Sequence, residues 1–533
     1  MIERIVIKGY RLFEELDFRP KAGMNILVGD NEAGKSTLME AVGMALTGRV
    51  NGRRIGEELN PFWFNRTVVH EYFDSLKTDT PGAPPEILIE LYFEKKAADV
   101  QALRGVHNSL LEDCPGVQIH IKPSATFDVE FQEYIDNDER PDILPVEYYD
   151  VIWRDFADGP MKRRHPGLGV SVIDSHTIRS TSGVDYHTRE MLVGYVEPKE
   201  AAAIAVAHRN ARHTITEEAL GEANKRIAAD SALFHDRHLG LQVDQSSNAS
   251  WEAGIVPQVE EIPFAMAGQG QQAAVKVALA MNRTADKTTF VLIEEPENHL
   301  SHTSLTRLIS RIENLAGDRQ VFLTTHSSFV LNRLGLDKLV LLYRGKCAEF
   351  SELPADTVRY FQRLSGYDTL RLVLADNVVL VEGPSDEMLF ERAFSDRHGA
   401  APMEMGVDVI SMRGVALKRS LQLCAALKRK VAVLRDNDGK PADHWNDMYA
   451  EFLEDGVRQL FIGDPAHGKT LEPQMIEVNG EPEIRAMLGY DGALTTEEWM
   501  SSHKTEGALR LAETESELTF PEYFIDAVNF THE

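Results

Sequence analysis

The sequence has few cysteines, no long apolar run and no apolar leader, and each absence excludes a class of protein. Its 533 residues include three cysteines, Cys114, Cys347 and Cys424, which lie far apart and form no CxxC pair. This spacing argues against a disulfide framework or a zinc site. No apolar run approaches the ~18 residues that span a bilayer, and the first residues are too charged for a signal peptide. We therefore expect a cytoplasmic protein without membrane association.

Positive charge is also scarce, since 56 Lys and Arg face 84 Asp and Glu for a net charge of −28. Taken alone, this balance speaks against nucleic acid, because phosphate binding needs local positive potential. Net charge, however, describes solubility and long-range steering and does not describe a site. Basic clusters occur at Arg53–Arg54, at residues 162–165 (KRRH) and between residues 417 and 430. Each cluster is more simply a solvated face than a DNA contact, and both interpretations stay open.

The chain is too long for one core, and we expect two or three domains. Strand and helix patterns alternate at the start and again from residue 262 to about 480, which is typical of parallel sheets covered by helices. Residues 196–238 are Ala-rich and polar, which predicts an exposed helical arm or a helix–helix interface. The irregular segment between the two alternating regions is too short for a long coiled coil.

The stretch Gly29–Ser36, GDNEAGKS, fits the phosphate-binding pattern GxxxxGK[ST]. It lies between a predicted strand, MNILV, and a predicted helix that Gly48 stops, the context that such a loop requires. Backbone N–H groups and the helix N-terminus favour phosphate oxygens there. Lys35 is expected to reach the β- and γ-phosphates, and Ser36 to hold Mg²⁺.

A phosphate loop needs an acid near the metal and a group that activates water. The strand FVLI ends in Glu294, which we assign to the Mg²⁺ shell, and in Glu295, which we assign as the base that orients water. A second apolar strand ends at His326, which is placed to contact the γ-phosphate, although a lone histidine can also be an ordinary core residue. Between loop and acids lies a Gly-rich turn, AGQGQQ, that opens an amphipathic helix.

The order GDNEAGKST, AGQGQQ, FVLIEEPENHL and TTHS resembles the ATP-binding-cassette ATPases, in the branch that contains chromosome-maintenance and double-strand-break-repair proteins. The resemblance implies a homodimer in which the Gly-rich signature binds the ATP of the opposite subunit. Gln269 stands where this signature commonly has Ser. Together, motif and resemblance assign ATP binding to Arg11, Asn31, Gly34, Lys35, Ser36, Thr37, Gly268, Gly270, Gln272, Glu294 and His326.

A second acidic cluster follows the ATPase motifs. The stretch VVLVEGPSDEMLF reads as strand, tight turn and helix, with Glu382 at the strand end and Asp386 in the first helical turn. The strand VAVLR ends before Asp436 and Asp438, which share one face if the chain stays extended. Ligands gather at the carboxyl ends of parallel strands. Converging carboxylates repel unless cations are bound, and an all-oxygen set suits Mg²⁺ or Mn²⁺. Acids at strand ends are also common without any site.

This arrangement resembles a Toprim domain, the metal site of topoisomerases, bacterial primases and some nucleases. An ABC-type head followed by Toprim is the domain order of the OLD (overcoming lysogenization defect) family. The resemblance implies Glu382 as general acid or base, and Asp386, Asp436, Asp438 and Glu472 as further ligands of a two-metal site. It implies Lys504 as a cation that stabilises a pentavalent phosphate. Glu472 as a surface acid and Lys504 as a solvated lysine are the alternatives.

The expected fold class is α/β, an ABC-type ATPase with a helical insertion followed by a Toprim Rossmann-like parallel-sheet domain. We predict ATPase segments at 1–175 and 251–370, a helical insertion and dimerisation arm at 176–250, and a Toprim domain with a C-terminal helical extension at 371–533. The predicted function is an ATP-binding, Mg²⁺- or Mn²⁺-dependent DNA endonuclease in anti-phage defence, dimeric or higher, with a helicase or other defence partner. The alternatives are an ATPase switch or scaffold and a repair ATPase that loads another nuclease.

Overall fold

The computed structural model describes residues 1–30, 32–78, 80–137, 139–174, 195–229, 240–244, 258–282, 289–298, 300–317, 319–343, 345–348, 353–363, 369–412 and 417–532. These form two compact units. The first comprises Met1–Leu27, Asn31–Thr325 and Leu342–Cys347, and the second Val28–Asp30, His326–Leu341 and Ala348–Glu533. Of the helices in these ranges, none has the length and apolar character needed to cross a membrane.

The strands are numbered in chain order: β1 Ile2–Tyr10, β2 Phe13–Phe18, β3 Met24–Val28, β4 Arg49–Val50, β5 Arg53–Arg54, β6 Ile87–Phe93, β7 Arg104–Gly105, β8 Cys114–Pro123, β9 Tyr149–Asp155, β10 Val170–Asp174, β11 Gln258–Val259, β12 Ile262–Pro263, β13 Phe290–Glu294, β14 Gln320–Thr324, β15 Leu339–Tyr343, β16 Lys346–Ala348, β17 Asn377–Val381, β18 Val407–Ser411, β19 Lys430–Arg435 and β20 Arg458–Ile462.

The α-helices are Lys35–Thr47, Ile55–Glu58, Arg66–Ser75, Asp128–Ile135, Pro198–Thr214, Gly221–Ala229, Gln269–Asn282, His302–Ala316, Ser328–Leu334, Ala355–Arg363, Thr369–Leu374, Pro384–His398, Leu417–Ala426, Ala442–Tyr449, Leu471–Asn479, Glu481–Leu488, Thr496–Ser502, Lys504–Glu513 and Glu522–His532. A π-helical turn, Ile215–Ala219, follows the helix Pro198–Thr214. Short 3-10 turns are Pro61–Trp63, Ala98–Leu103, Ala125–Phe127, Val146–Tyr148, Phe264–Met266, Leu336–Lys338, Pro402–Met405 and Pro465–His467.

An antiparallel sheet in the first unit has the order β2-β1-β6-β8-β7, and β9 pairs with β8. In β6, ILIELYF, every apolar side chain except that of the half-buried Leu88 is buried, because the strand lies between β1 and β8. Glu90 is also fully buried in this strand, and it accepts hydrogen bonds from Tyr92 Oη (2.7 Å) and Ser109 Oγ (2.6 Å). Its carboxylate is therefore satisfied within the core.

A second sheet has the order β10-β13-β14-β3-β15-β16, with β10, β13, β14 and β3 parallel. The run MNILV is fully buried, including its one polar residue Asn25, and FVLI is fully buried up to the half-buried Glu294, as expected for strands covered on both faces. Residues 342–347 at the junction of β15 and β16 also belong to the first unit. The predicted helical arm contains Pro198–Thr214, in which no residue is buried. Within the predicted bounds 176–250, residues 176–194, 230–239 and 245–250 lie outside the described residues.

In the second unit, a parallel sheet has the order β18-β17-β19-β20. The core between this sheet and its helices includes Phe390, Phe394 and Phe524, each fully buried. Because all four strands run the same way, their carboxyl ends share one edge, and the helix Pro384–His398 begins at that edge directly after β17. The expected α/β fold class is confirmed, and the second unit has the expected parallel sheet. The exact domain boundaries stay predictions.

Candidate nucleotide site and candidate metal centre

The phosphate loop turns sharply between β3 and the helix Lys35–Thr47. Gly34 has φ 101° and caps the helix, and Glu32 has φ 69°. A β-carbon at Gly34 would lie 2.8 Å from the Phe13 ring, so both the backbone angle and the space require glycine. Lys35 is buried at the first position of the helix. Local packing and the backbone angle therefore both require glycine at position 34. This keeps the loop in a fixed shape, which a phosphate-binding backbone loop needs.

We expect Gly34→Ala to lower the free energy of unfolding by about 1–3 kcal/mol, because alanine is strained at this angle and meets Phe13. ATP binding should be lost as well, since the loop must shift. Gly23→Ala is the matched control, because a β-carbon there meets nothing within 4 Å. Chemical denaturation and ATP titration check both effects. Equal stability of the two variants would contradict the packing account.

The predicted acids lie one strand away from this loop. β14 separates β13 from β3, with Glu294 opposite Thr324 and Thr324 opposite Leu27. The loop and the acids therefore leave the same edge of the sheet, where ligands gather in parallel sheets. Glu295 has φ 43°, and its N–H donates to the Thr324 carbonyl at 3.1 Å.

The Glu295 side chain is also held in place, because Asn298 Nδ2 donates to its Oε2 at 2.7 Å. This neighbour orients the carboxylate without neutralising its charge. His326 is exposed two residues beyond β14. Gly268, Gly270 and Gln272 lie around the start of the helix Gln269–Asn282, where Gln272 Nε2 donates to the Ala267 carbonyl at 2.8 Å.

Arg11 lies in the turn between β1 and β2 with φ 47°, and its Nη2 is 2.9 Å from Glu40 Oε1. Since Glu40 belongs to the helix that starts at Lys35, Arg11 contacts the phosphate-loop element itself. Ser36 and Thr37 occupy the first helical turn. Asn31 lies outside the described residues. The nucleotide roles of all these residues stay predictions.

In the second unit, carboxylates from several elements line one cavity of about 280 Å³. Glu382 follows β17, Asp436 follows β19, and Asp386 lies in the first turn of the helix Pro384–His398. The helices Leu471–Asn479 and Lys504–Glu513 bring Glu472 and Lys504 to the same cavity. The sequence-predicted residues are thus brought together, apart from Asp438.

Burial and mutual repulsion raise the pKa of three of these acids. Burial is the main cause that raises the pKa of Asp436 to about 7, and the charges of Asp386, Glu382 and Glu472 act in the same direction. Burial likewise raises the pKa of Asp386 to about 6, although the Gly383 N–H donates to it at 3.0 Å. Burial also raises the pKa of Glu382. The carboxylates of the cavity therefore carry more negative charge than the nearby positive groups neutralise.

Lys504 supplies part of that compensation, because its Nζ is 3.1 Å from Glu472 Oε1. Burial acts to lower the pKa of Lys504, but the Glu472 hydrogen bond and the nearby acids outweigh it and raise the pKa. Glu472 Oε2 is buried and accepts no hydrogen bond among the described residues. An unpartnered carboxylate oxygen facing other carboxylates fits a hard divalent cation.

Asp438 departs from the sequence expectation. β19 ends at Arg435, and Asp438 has φ 52°, so the two aspartates do not alternate along an extended strand. Arg435 Nη2 lies 2.8 Å from Asp438 Oδ2 and 3.6 Å from Glu382 Oε1, and its guanidinium stacks 3.6 Å from the Trp445 ring centre. Among the described residues, no group of three or more Asp, Glu, His or Cys side chains is already arranged closely enough to hold a metal ion. Metal ligation by these acids stays a prediction.

Sequence reasoning missed two neighbours of this cavity. Arg435 bridges Glu382 and Asp438. The only sequence signal for this residue is its position directly before Asp436. Tyr523 lies in the C-terminal helix, where burial and then the nearby carboxylates Asp436 and Asp386 raise its pKa well above the ordinary value. Its phenol therefore keeps its proton. No local motif marks this tyrosine, because only the fold brings its helix to the sheet edge.

The raised pKa values predict how the ion-free chain responds to pH. The folded form of Asp436 holds its proton to about pH 7, whereas an unfolded aspartate releases it near the ordinary value of 3.8. Stability is therefore lost as pH rises between these values. We expect Asp436→Asn to raise the free energy of unfolding by on the order of 1–2 kcal/mol at pH 8 and not at pH 4.

Unfolding curves in EDTA at both pH values check this result, with the exposed Asp447→Asn as control. Adding Mn²⁺ at pH 8 should stabilise the unaltered chain and have little effect on Asp436→Asn, because bound cation relieves the same repulsion. The stability of Asp436→Asn is compared with that of the unaltered chain at each pH. If the variant gains no more stability at pH 8 than at pH 4, the carboxylates do not repel one another.

Three segments of the chain match models of known protein families. Residues 4–138 match an AAA domain, and residues 207–332 match an AAA domain described as a putative AbiEii toxin of a type IV toxin–antitoxin system. Residues 373–438 match the Toprim domain of overcoming lysogenization defect protein-like proteins. No curated protein matches the chain.

Solved structures give weaker likenesses. An SMC head bound to the C-winged helix domain of ScpA is 14% identical, covers 65% of this chain and 97% of its own, and has a TM-score of 0.33. The recombination mediator RecF with ATP is 11% identical, covers 65% of this chain and 98% of its own, and has a TM-score of 0.35. The C-terminal region of the Burkholderia pseudomallei OLD protein is 18% identical, covers 30% of this chain and 97% of its own, and has a TM-score of 0.24. All three TM-scores lie below 0.5, so the identification rests on the family models.

Two segments of the chain match AAA ATPase domains, and a segment that follows them in the sequence matches a Toprim domain. The Toprim domain is of the OLD type, and the resemblance to OLD family nucleases is confirmed. ATPase domains generally use ATP with a divalent metal, and Toprim domains generally use a divalent metal. The chain therefore resembles OLD family proteins in the kinds and the order of its domains.

Proposed function

We propose that the chain is a divalent-metal-dependent DNA endonuclease whose cutting is controlled by ATP. The observation that carries this proposal is the cavity at the carboxyl edge of the β17–β20 sheet, where Glu382, Asp386, Asp436 and Glu472 meet Lys504. Converging carboxylates can hold two divalent cations, and a lysine beside them can offset charge on a phosphate, which are the requirements of metal-dependent phosphodiester hydrolysis.

Each side chain has a separate task. Asp436, Asp386 and Glu472 would hold Mg²⁺ or Mn²⁺, which when bound supplies the positive charge that polarises the phosphate. Glu382, with its raised pKa, would accept or return a proton at the attacking or leaving oxygen. Lys504 would offset the negative charge that develops on the phosphate. Asp438 would join the ligands after its ion pair with Arg435 opens.

The ATPase unit would supply control. Lys35 and Ser36 would bind the nucleotide phosphates and Mg²⁺, Glu294 would support that ion, and Glu295 would orient water. The Gly-rich segment at Gly268 would contact the ATP of a second copy, which makes a homodimer the working form. Light scattering with and without ATP checks this, since ATP should favour the dimer in a Glu295→Gln variant.

Cleavage of supercoiled plasmid tests the proposal. Nicked or linear product should appear with Mg²⁺ or Mn²⁺ and disappear with EDTA. In Lys35→Ala the product should still form, but its amount should no longer respond to ATP, since that residue lies in the other site. Parallel reactions with and without ATP show the direction of control. A metal-dependent product in the unaltered chain supports the proposal, and intact plasmid under all these conditions would refute it.

The biological role we propose is defence against phage, beside a helicase or another defence protein. This step rests on the OLD-type domain order. Phage plating on cells that carry the gene with its neighbours should fall, and Asp436→Ala should restore it. Equal plating with and without the gene would exclude the role while leaving the enzymology intact.

A further inference from the structure

A basic cavity lies in the first unit, away from the phosphate loop. It has a volume of about 820 Å³ and is lined by five cations, Arg49, Arg54, Lys162, Arg163 and Arg164, against one carboxylate, Glu57. The whole chain has a net charge of −28, so this concentration of positive charge runs against its composition. The sequence clusters at 53–54 and 162–165 were each compatible with a solvated face, but the fold brings Arg54 and residues 162–164 to the same cavity.

The cavity is built from fixed elements. One wall is the C-terminal end of the helix Lys35–Thr47, followed by Gly48 with φ 67°. The other is β9, from which Trp153 Nε1 donates to the Ala45 carbonyl at 3.0 Å. A β-carbon at Gly48 would lie 2.4 Å from the Trp153 ring, so the indole is tightly packed against this turn.

The local structure accounts for only part of the charge. The carbonyl end of a helix favours cations, and Arg49 Nη1 donates to the Gly52 carbonyl at 2.6 Å. Arg54, Lys162 and Arg163 are exposed and form no ion pair with any described residue. Like charges held in one cavity repel, which costs free energy unless an anion is bound there.

We propose that this cavity binds the phosphate backbone of a nucleic acid strand. A concave basic surface with an aromatic wall is the arrangement by which proteins hold single strands without sequence preference. The choice of a nucleic acid as ligand rests on the proposed nuclease function. The substrate of that reaction is DNA, a polyanion that the chain must bind before cutting it. The second unit would cut the nucleic acid that the first unit holds.

A labelled single-stranded oligonucleotide measures this binding by fluorescence anisotropy. The chain carries Asp436→Asn, and EDTA is present, so the probe stays intact. The test variant adds Arg54→Ala, Lys162→Ala and Arg163→Ala. The matched control instead adds Arg19→Ala, Arg66→Ala and Lys96→Ala, three exposed cations of the same unit that do not line the cavity.

We expect the cavity variant to bind at least about tenfold more weakly, and the control to change less than about twofold. The slope of log K against log salt should become shallower by about two in the cavity variant, since about 0.7 counterion is released per phosphate on a single strand. Equal losses in both variants, or no binding by the parent chain, would overturn the proposal.

Two competition experiments distinguish a nucleic acid backbone from a mononucleotide as the ligand of the cavity. Duplex DNA should compete for the probe, whereas ATP at millimolar concentration should not when Lys35→Ala removes the phosphate-loop site. Displacement by ATP in that background would assign the cavity to a mononucleotide and overturn the backbone proposal. Since no step requires cleavage, an inactive Toprim site leaves this test readable, and active cleavage without cavity-dependent binding refutes only this inference.

Discussion

Asp436→Asn is expected to lower plasmid cleavage by at least about a thousandfold while ATP turnover stays within about twofold of the unaltered chain. Asp436 follows β19 and lines the cavity with Glu382, Asp386 and Glu472. Removing its charge takes away a ligand without changing the shape of the side chain. The ATPase acids lie in a different unit of the chain, so their chemistry should continue.

The exposed Asp447→Asn, in the same unit, is the control for any general effect of losing a carboxylate. Cleavage rates at saturating Mn²⁺, together with ATP turnover, separate the two sites. Folding can be checked at the same time, because Asp436→Asn should be at least as stable as the unaltered chain at pH 8. If Asp436→Asn cuts at the normal rate, the cavity is not the nuclease site.

Glu295→Gln is the second large effect that we expect, with ATP turnover at least about a hundredfold slower and ATP binding retained. Glu295 follows β13, its backbone N–H donates to the Thr324 carbonyl, and Asn298 orients its carboxylate. Glutamine keeps the size and the hydrogen bond to Asn298 but loses the ability to accept a proton from water.

Phosphate release measures the turnover, and equilibrium binding of labelled ATP measures retention. Glu133→Gln, an exposed acid of the same unit, should behave as the unaltered chain. Lys35→Ala should lose binding itself, which distinguishes loss of the nucleotide from loss of chemistry. Normal turnover by Glu295→Gln would remove this residue from the role of base and turn attention to Glu294.

The parts of the fold that sequence predicted are those in which a motif and its structural context are neighbours in the chain. Gly34 and Lys35 lie in the predicted strand–loop–helix, since a single short segment fixes that turn. Glu382 and Asp436 lie at the ends of adjacent parallel strands, because buried apolar runs identify β17 and β19 and parallel pairing places their ends together.

Long-range contacts decide what sequence could not show. Asp438 leaves the extended path because the buried Asn437 donates to the Gly463 and Gly468 carbonyls and fixes a turn there. Arg435 can then hold Asp438, a contact that no spacing rule contains. In the same way, Lys162 and Arg54 share a cavity only because β9 packs beside the end of the phosphate-loop helix.

Anomalous scattering from crystals grown with Mn²⁺ can show whether the carboxylates of the last third of the chain surround a divalent cation. We expect a manganese peak about 2.0–2.4 Å from oxygens of Asp436 and at least two of Glu382, Asp386 and Glu472. The peak should disappear in Asp436→Asn. Manganese bound only at the phosphate loop, with this cavity empty of metal, would rule out the proposed metal centre.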